Sequence, residues 1–293
     1  MSFRSGFVAV VGRPNVGKST LVNALVEEKV AIVSDKPQTT RTQIRGIRST
    51  DDSQIVFTDT PGFHKPRTLL GRRSNEVVGS AVEGVDVILQ VVDAHAGVGR
   101  GDAFVYQRQV GSHASTTICA VNKIDRLAHH LVVPQLTAAA QLGAFEHIVP
   151  ISAAQGTGVS ELLEVIEGVL SEGPPYFPVG EATDQSIEQR LAELVREQAL
   201  RRTREEVPHS VAVVIEELDR QEGLTKVFAT IAVERDSQRG IVIGKGGEML
   251  KEIGTAARMQ IEELLGTKVF LDVRVKVLKD WQRDPKHLNR LGL

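Results

Sequence analysis

The chain has 293 residues, 41% of them hydrophobic and 25% charged, enough for two domains and ordinary for a water-soluble globular protein. Its formal net charge of −2 announces no polyanionic partner, and its single cysteine, Cys119 in "TTICAVNK", excludes an internal disulfide and fits a reducing compartment. No apolar run approaches the roughly 18 residues needed to cross a bilayer, and the one near Met1 is too short for a secretory signal, so the expectation is a cytoplasmic protein.

Up to residue 170, short apolar runs alternate with amphipathic stretches. The runs are Phe7–Val11, Gln54–Thr58, Val85–Val92, Thr117–Val121 and His147–Ile151. Runs of this length between helical patterns predict buried parallel strands of an α/β sheet. "VSELLEVIEGVL" over 159–170 reads as a closing helix, which makes 1–170 one domain. "SEGPPYFPVGEATD" over 171–184 holds three prolines and two glycines, and predicts an interdomain linker over 171–185. Residues 186–293 read as a second, smaller α+β domain. Ser186 and Gln189 form a capping box that opens a helix through about Thr203, stopped by Pro208. "VAVVIEEL" and "KVFATIAVE", joined by Asp219–Gly223, predict a hairpin. A short apolar turn leads into "GKGG". Leu250, Ile253, Ala257, Ile261 and Leu264 then recur at helical spacing, and "KVFLDVRVKV" alternates as a last strand. The order is α-β-β-α-α-β.

"GRPNVGKS", Gly12–Ser19, matches G-x-x-x-x-G-K-[ST], directly after a predicted strand and before the helical run "TLVNALVEE". In that context Gly12, Arg13, Pro14, Asn15, Val16 and Gly17 form a loop whose N–H groups point at phosphate oxygens. Lys18 reaches the β- and γ-phosphates, the Ser19 hydroxyl ligates Mg²⁺, and Thr20 follows in the helix. "DTPG", Asp59, Thr60, Pro61 and Gly62, ends a strand. An acid there can hold Mg²⁺ through water, and Gly62 leaves room for its N–H to approach a γ-phosphate. "NKID" ends another strand. The Asp125 carboxylate matches the paired N1–H and N2–H₂ donors of guanine, whereas adenine presents an acceptor at N1. Asn122 can bridge toward N7 and the first loop, and the stem of Lys123 can cover the ring. "ISA" brings Ser152 and the Ala153 N–H, which can meet guanine O6. Four such segments in this order predict a GTP site.

These residues resemble the GTPases among the P-loop NTPases. By that resemblance "QTTR", residues 38–41, supplies the switch I threonine, with Thr40 ligating Mg²⁺ in the GTP state and Thr39 the second choice. The resemblance also assigns catalysis to Lys18, Thr40 and Gly62. Phe63 follows "DTPG" where signalling GTPases carry a glutamine, and phenylalanine cannot orient water. Similar GTPases with an apolar residue here use K⁺, and Asn15 stands at the position that would ligate it.

"GKGG", Gly244, Lys245, Gly246 and Gly247, follows the G-x-x-G spacing of an RNA-clamping loop between two helical segments. It is also the composition of an ordinary helix–helix turn. Ile241, Val242 and Ile243 are expected to form the floor for splayed bases, with Lys245 and Lys251 adding charge. Residues 223–293 carry thirteen Lys and Arg against nine Asp and Glu, which favours a polyanion. Trp281 can stack on a base or anchor the terminus.

A P-loop GTPase followed by a KH domain of the second topology resembles the Era family of bacterial GTPases over nearly the whole chain. The resemblance implies a monomer that uses Mg²⁺ and GTP or GDP, binds 16S rRNA near its 3′ end, assists 30S ribosomal subunit assembly, and makes peripheral contact with the cell membrane. Two other readings stay open. One is a signalling GTPase whose C-terminal domain binds protein; the other is an RNA-binding module whose nucleotide is structural.

Overall fold

The structure, a computed structural model, describes residues 2–36, 39–62, 68–111 and 113–293. Phe63 and Gln38 lie outside the described residues. The described residues of Met1–Ala31, Thr40–Lys65 and Gly71–Asp184 form one compact unit, and those of Ile32–Thr39, Pro66–Leu70 and Gln185–Leu293 a second.

Six strands build the first sheet: β1 (Arg4–Val11), β2 (Ile44–Ser49), β3 (Ser53–Asp59), β4 (Val87–Asp93), β5 (Thr116–Asn122) and β6 (His147–Pro150). Their order is β2-β3-β1-β4-β5-β6, all parallel except β2, which runs antiparallel to β3. Strands β3 and β4 are buried along their whole length because helices cover both faces of the sheet. The two-residue period divides the apolar side chains between those faces. Val8, Val10 and Leu89 meet α1 (Lys18–Val26) and α5 (Val159–Val169) through Leu21, Leu25, Leu162 and Ile166. On the other face, Ala9, Val11 and Ile88 pack with Val82, just past α2 (Leu69–Ala81), and with Val105 of α3 (Arg100–Gln109). Val121 and Cys119 pack there with Ala139 of α4 (Val132–Ala140). Each fully buried aliphatic side chain contributes about 1.5–3 kcal/mol.

Strand β2 is absent from the sequence reading. Its "IRGIRS" is an edge strand with Ile44 and Ile47 buried and both arginines partly exposed, so it never forms a continuous apolar run. The proline-rich stretch stays with the first unit through Asp184 rather than leaving it at residue 170. The Gln54 amide accepts the N–H groups of Tyr176 and Phe177 at 2.6 and 2.9 Å, and Arg45 pairs with Asp184 at 2.8 Å. Strand order reverses at β1, whose neighbours β3 and β4 lead to opposite ends of the sheet. Loops at the carboxyl ends of these strands open a crevice, the usual ligand position in such sheets.

The second unit begins with α6 (Ile187–Arg202), capped as expected: Ser186 Oγ accepts the Gln189 N–H and the Gln189 side chain accepts the Ser186 N–H. Thr203, in extended geometry, ends it, and Pro208 belongs to the following single turn α7 (Val207–Ser210) rather than stopping α6. Strands β7 (Ala212–Gln221) and β8 (Leu224–Val233) form the hairpin, antiparallel, with a tighter turn than expected at Glu222–Gly223. The apolar turn before "GKGG" is a helix, α8 (Asp236–Ile243), followed by α9 (Glu248–Leu265) and β9 (Lys268–Val277), which pairs parallel to β8. Leu191, Val195, Val227, Ile231, Ile253, Ala257 and Ile261 join helices to sheet. The opposite face is covered at Ala212 and Ala232 by Trp281 and by Leu288 of α10 (Pro285–Arg290). Trp281 is fully buried and its Nε1 donates to the Ser210 carbonyl at 2.9 Å, so it anchors the terminus and offers no ring to a base.

Cys119 is fully buried in β5; burial, with a smaller push from the Asp102 charge, raises its thiol to about 12. The thiol therefore stays protonated and unreactive in the folded chain. Iodoacetamide at pH 8 is expected to label it only after denaturation, and rapid labelling of the native protein, read by intact mass, contradicts this packing.

Candidate nucleotide and RNA sites

The loop from Gly12 to Gly17 joins β1 to α1. Gly17 has φ of 100°, and a Cβ there would lie 2.4 Å from the Asn122 amide nitrogen, so only glycine lets the two loops meet. Lys18, at the start of α1, is buried and donates to the carbonyls of Gly12 and Arg13, each at 3.0 Å. Burial lowers its pKa from the ordinary lysine value to about 8, against the pull of Asp59. A desolvated ammonium at the mouth of a backbone nest gains much from an anionic ligand. Val16 turns its side chain into the core, so only its backbone belongs to the site.

Three oxygen-bearing side chains from separate segments converge beside Lys18. Ser19 Oγ donates to Asp59 Oδ2 at 2.7 Å, Thr40 Oγ1 donates to the same oxygen at 3.1 Å, and the two hydroxyls stand 3.0 Å apart. Asp59 is fully buried, and its Oδ1 has no hydrogen-bond partner among the described residues. Burial pushes its carboxyl above the ordinary value, while the Lys18 charge and the two hydroxyls pull it down. Hydroxyl and carboxylate oxygens with an orphaned buried acceptor fit Mg²⁺, which takes oxygen ligands and completes its shell with phosphate and water. Among the described residues there is no group of three or more His, Cys, Asp or Glu that could hold a metal ion. Thr39 instead donates to the Lys36 carbonyl at 2.7 Å, so of the two threonines only Thr40 joins this cluster. Thr60 donates to the Val10 carbonyl at 2.8 Å and shapes the strand end. A Cβ on Gly62 would lie 2.8 Å from Pro14 backbone atoms, so "DTPG" reaches the first loop.

The base-reading loops are cross-braced. Asn122 donates to the Val16 carbonyl at 2.9 Å, and its Oδ1 accepts the N–H groups of Lys123 at 2.8 Å and Ala153 at 3.0 Å. The Ala153 N–H is thus spent on Asn122 rather than offered to guanine O6, because the buried Asn122 oxygen needs donors. Asp125 is exposed, with one carboxylate oxygen held by the buried Ser152 hydroxyl at 2.6 Å, which fixes its plane. Lys123 donates to the Asn15 carbonyl at 2.7 Å and to Asp93 at 2.6 Å. Burial alone would raise the Asp93 carboxyl; the Lys123 hydrogen bond, the Ala96 N–H and the Lys123 charge hold it below its ordinary value. Asp93 was missed in the sequence; an acid ending a strand, as Asp59 does, was the available signal.

In the second unit Gly244, Gly246 and Gly247 all have positive φ (75°, 61° and 85°) and join α8 to α9. Nothing lies within 4 Å of a Cβ built on Gly246 or Gly247, so the backbone there is open to a close-approaching ligand. Lys245 and Lys251 are exposed. The predicted floor needs correcting: Val242 is wholly buried in the core, since α8 turns it inward, and Ile241 on the same helix is 49% exposed. An open groove lies between α9 and β9, with a volume of about 540 Å³, lined by Gly247, Leu250, Lys251, Gly254, Thr255, Arg258 and residues Val269–Leu271 and Val273.

Asp125→Asn is expected to convert guanine preference into xanthine preference, because an amide donor matches the 2-oxo group that replaces the 2-amino group. Competition binding with GTP and XTP checks it; unchanged GTP preference removes Asp125 as the base reader.

The family model described as 50S ribosome-binding GTPase matches residues 7–123, and the KH domain model matches residues 206–282. GTPase Era of Mycobacterium tuberculosis strain H37Rv is 54% identical over 297 residues, covering 99% of each chain. GTPase Era of Mycolicibacterium smegmatis is 53% identical over 295 residues with the same coverage. Among solved structures, Era in complex with MgGDPNP and nucleotides 1506–1542 of 16S ribosomal RNA has a TM-score of 0.96 at 39% identity, covering 99% of both chains. A variant of Aquifex aeolicus Era bound to GDP and AlF4− matches equally well, with a TM-score of 0.96 at 39% identity over 99% of both chains. With a glycine-rich loop, an oxygen cluster and the Asp125 carboxylate at the strand ends of the first sheet, and identity of this order along the full length, the chain belongs to the Era family of GTPases.

Proposed function

We propose that this GTPase binds the 3′ end of 16S rRNA through its second unit and serves 30S subunit assembly in the cytoplasm. The observation that carries the RNA assignment is the open Gly246–Gly247 backbone at the end of a 540 Å³ groove. A G-x-x-G loop of this kind clamps the backbone of about four nucleotides. Lys245 at the loop and Lys251 and Arg258 on α9 supply the charge that phosphates need. Leu250, Leu271 and Val273 supply an apolar wall for bases. A relative bound to MgGDPNP and nucleotides 1506–1542 of 16S rRNA supports the same reading. Among the described residues no helix is long and apolar enough to cross a membrane.

The site residues take these roles. Lys18 and the amides from Asn15 to Ser19 hold the triphosphate, Ser19 and Thr40 ligate Mg²⁺ with Asp59 behind them, and Asp125 reads the base. Mg²⁺, when bound, neutralises charge developing between the β- and γ-phosphates. Gly62 is placed for its amide to approach the γ-phosphate. Asn15, exposed and at φ of 64°, is positioned at the loop surface to ligate K⁺.

Two experiments test these assignments. Lys245→Asp with Gly246→Asp puts negative charge where an RNA phosphate belongs, and aspartate enters the positive-φ region at less cost than most side chains. In a separate variant, Gly254→Leu fills the groove from a helical position whose Cβ meets nothing nearer than 3.9 Å. Both variants are expected to lose at least tenfold in affinity for a 16S 3′-end fragment, about 1.4 kcal/mol or more, with GTP binding kept. Wild-type RNA affinity in both refutes the groove. For the ion, hydrolysis is expected to run faster in K⁺ than in Na⁺ at equal ionic strength, and Asn15→Ala to erase the difference. Equal rates in the two salts leave Asn15 as loop architecture.

A further inference from the structure

Arg13 belongs to the phosphate loop by sequence, yet its side chain runs away from the loop. Its Nε donates to Asp102 Oδ1 at 2.7 Å and its Nη2 to the Gly97 carbonyl at 3.3 Å. Asp102 sits in the first turn of α3 with a side chain 1% exposed, while that of Arg13 is 31% exposed. A buried carboxylate must be compensated, and both oxygens of Asp102 are: Oδ2 accepts the Gly99 N–H at 3.0 Å. Its backbone carbonyl accepts the Gln90 amide of β4 at 3.0 Å. Asp102 is therefore fixed to the sheet and to its own helix before Arg13 arrives. The Arg13 stem lies across Gly101, where a Cβ would stand 2.5 Å from Arg13 Cδ, so any larger residue displaces it.

We propose that Arg13 and Asp102 are positioning residues of the GTPase site. The guanidinium held by Asp102 fixes the peptide of Arg13, and the carbonyls of Gly12 and Arg13 are the two that cradle the Lys18 ammonium. On the far side of the loop Lys123, paired with Asp93, holds the Asn15 carbonyl, and Asn122 holds that of Val16. Both Asp93, ending β4, and Asp102, opening α3, belong to the segment "DAHAGVGRGD". That segment reaches the phosphate loop through these two cations, and its Ala94 N–H donates to the Asn122 carbonyl of the base loop at 2.9 Å. It sets the width of the phosphate loop from outside, so that Lys18 is already held in place for the β- and γ-phosphates before nucleotide binds.

Asp102→Asn separates this role from simple support of the fold. It keeps an acceptor for the Gly99 N–H and removes the charge that holds Arg13. Arg13→Lys is the second variant: it keeps a cation near Asp102 but loses the Nε and Nη2 pair. Arg13→Lys combined with Asp102→Asn closes the cycle without leaving a buried unpaired carboxylate. The readouts are GTP affinity, kcat and kcat/KM per folded molecule, with the melting temperature alongside. Each single variant is expected to lose about 10- to 100-fold in kcat/KM, the scale of a displaced catalytic group. The double variant is expected to be no worse than the weaker single one, because both remove one interaction. Preference for GTP over XTP, set by Asp125, is expected to persist. Wild-type affinity and kcat in folded Asp102→Asn and Arg13→Lys, with only the melting temperature lowered, overturn the proposal. Losses that add in the double variant overturn it as well.

Discussion

A lysine ammonium buried at the start of α1 is the constraint on which the GTPase unit depends. Lys18 has lost most of its water, which lowers its pKa to about 8. Two loop carbonyls and the nearby Asp59 are what it receives in exchange. That arrangement leaves the cation under-compensated and therefore strongly selective for a polyanion. Asp59 is constrained in the opposite sense, a buried carboxylate with one orphaned oxygen. In the roles proposed above, a triphosphate with Mg²⁺ would satisfy both at once, the anion at Lys18 and the ion at the Ser19, Thr40 and Asp59 cluster.

The surrounding polar contacts keep that geometry. Each carbonyl from Gly12 to Val16, apart from that of Pro14, receives a named side-chain donor: Lys18 for Gly12 and Arg13, Lys123 for Asn15, and Asn122 for Val16. Those four carbonyls are thereby held by donors that lie outside the loop backbone. The base loop is bound into this frame, since Asn122 touches the phosphate loop and the Ala153 amide together. The two loops are thus joined in one hydrogen-bonded assembly at the reversal of strand order.

The second unit, in the RNA role proposed for it, meets a different demand. An RNA backbone is a repeating anion with bases on one side, and no single buried cation suits it. The site offered is shallow: an exposed glycine backbone, lysines and an arginine at the rim, and an apolar wall made where α9 lies against β9. Val242, expected on that wall, is drawn into the core because α8 is a full helix whose inward face it occupies. The wall is supplied instead by residues that the α9 and β9 patterns divide between core and groove.

The sequence by itself determined whatever depends on local backbone chemistry. The phosphate loop, "DTPG", "NKID", the Ser186–Gln189 cap and the α-β-β-α-α-β order were all legible, because each is a short segment whose residue types dictate its own conformation. Thr40, by contrast, rested on resemblance until the structure set its hydroxyl beside Ser19 and Asp59. Tertiary structure alone decided what depends on distant partners. Arg13 and Asp102 lie 89 positions apart and become a pair only when α3 packs beside the loop. Strand β2, an edge with one wet face, lacks the continuous apolar run that marks its neighbours. The groove between α9 and β9, and the spending of the Ala153 amide on Asn122, follow from how elements meet. Such contacts are specified by the three-dimensional packing of many residues, and no local pattern encodes them.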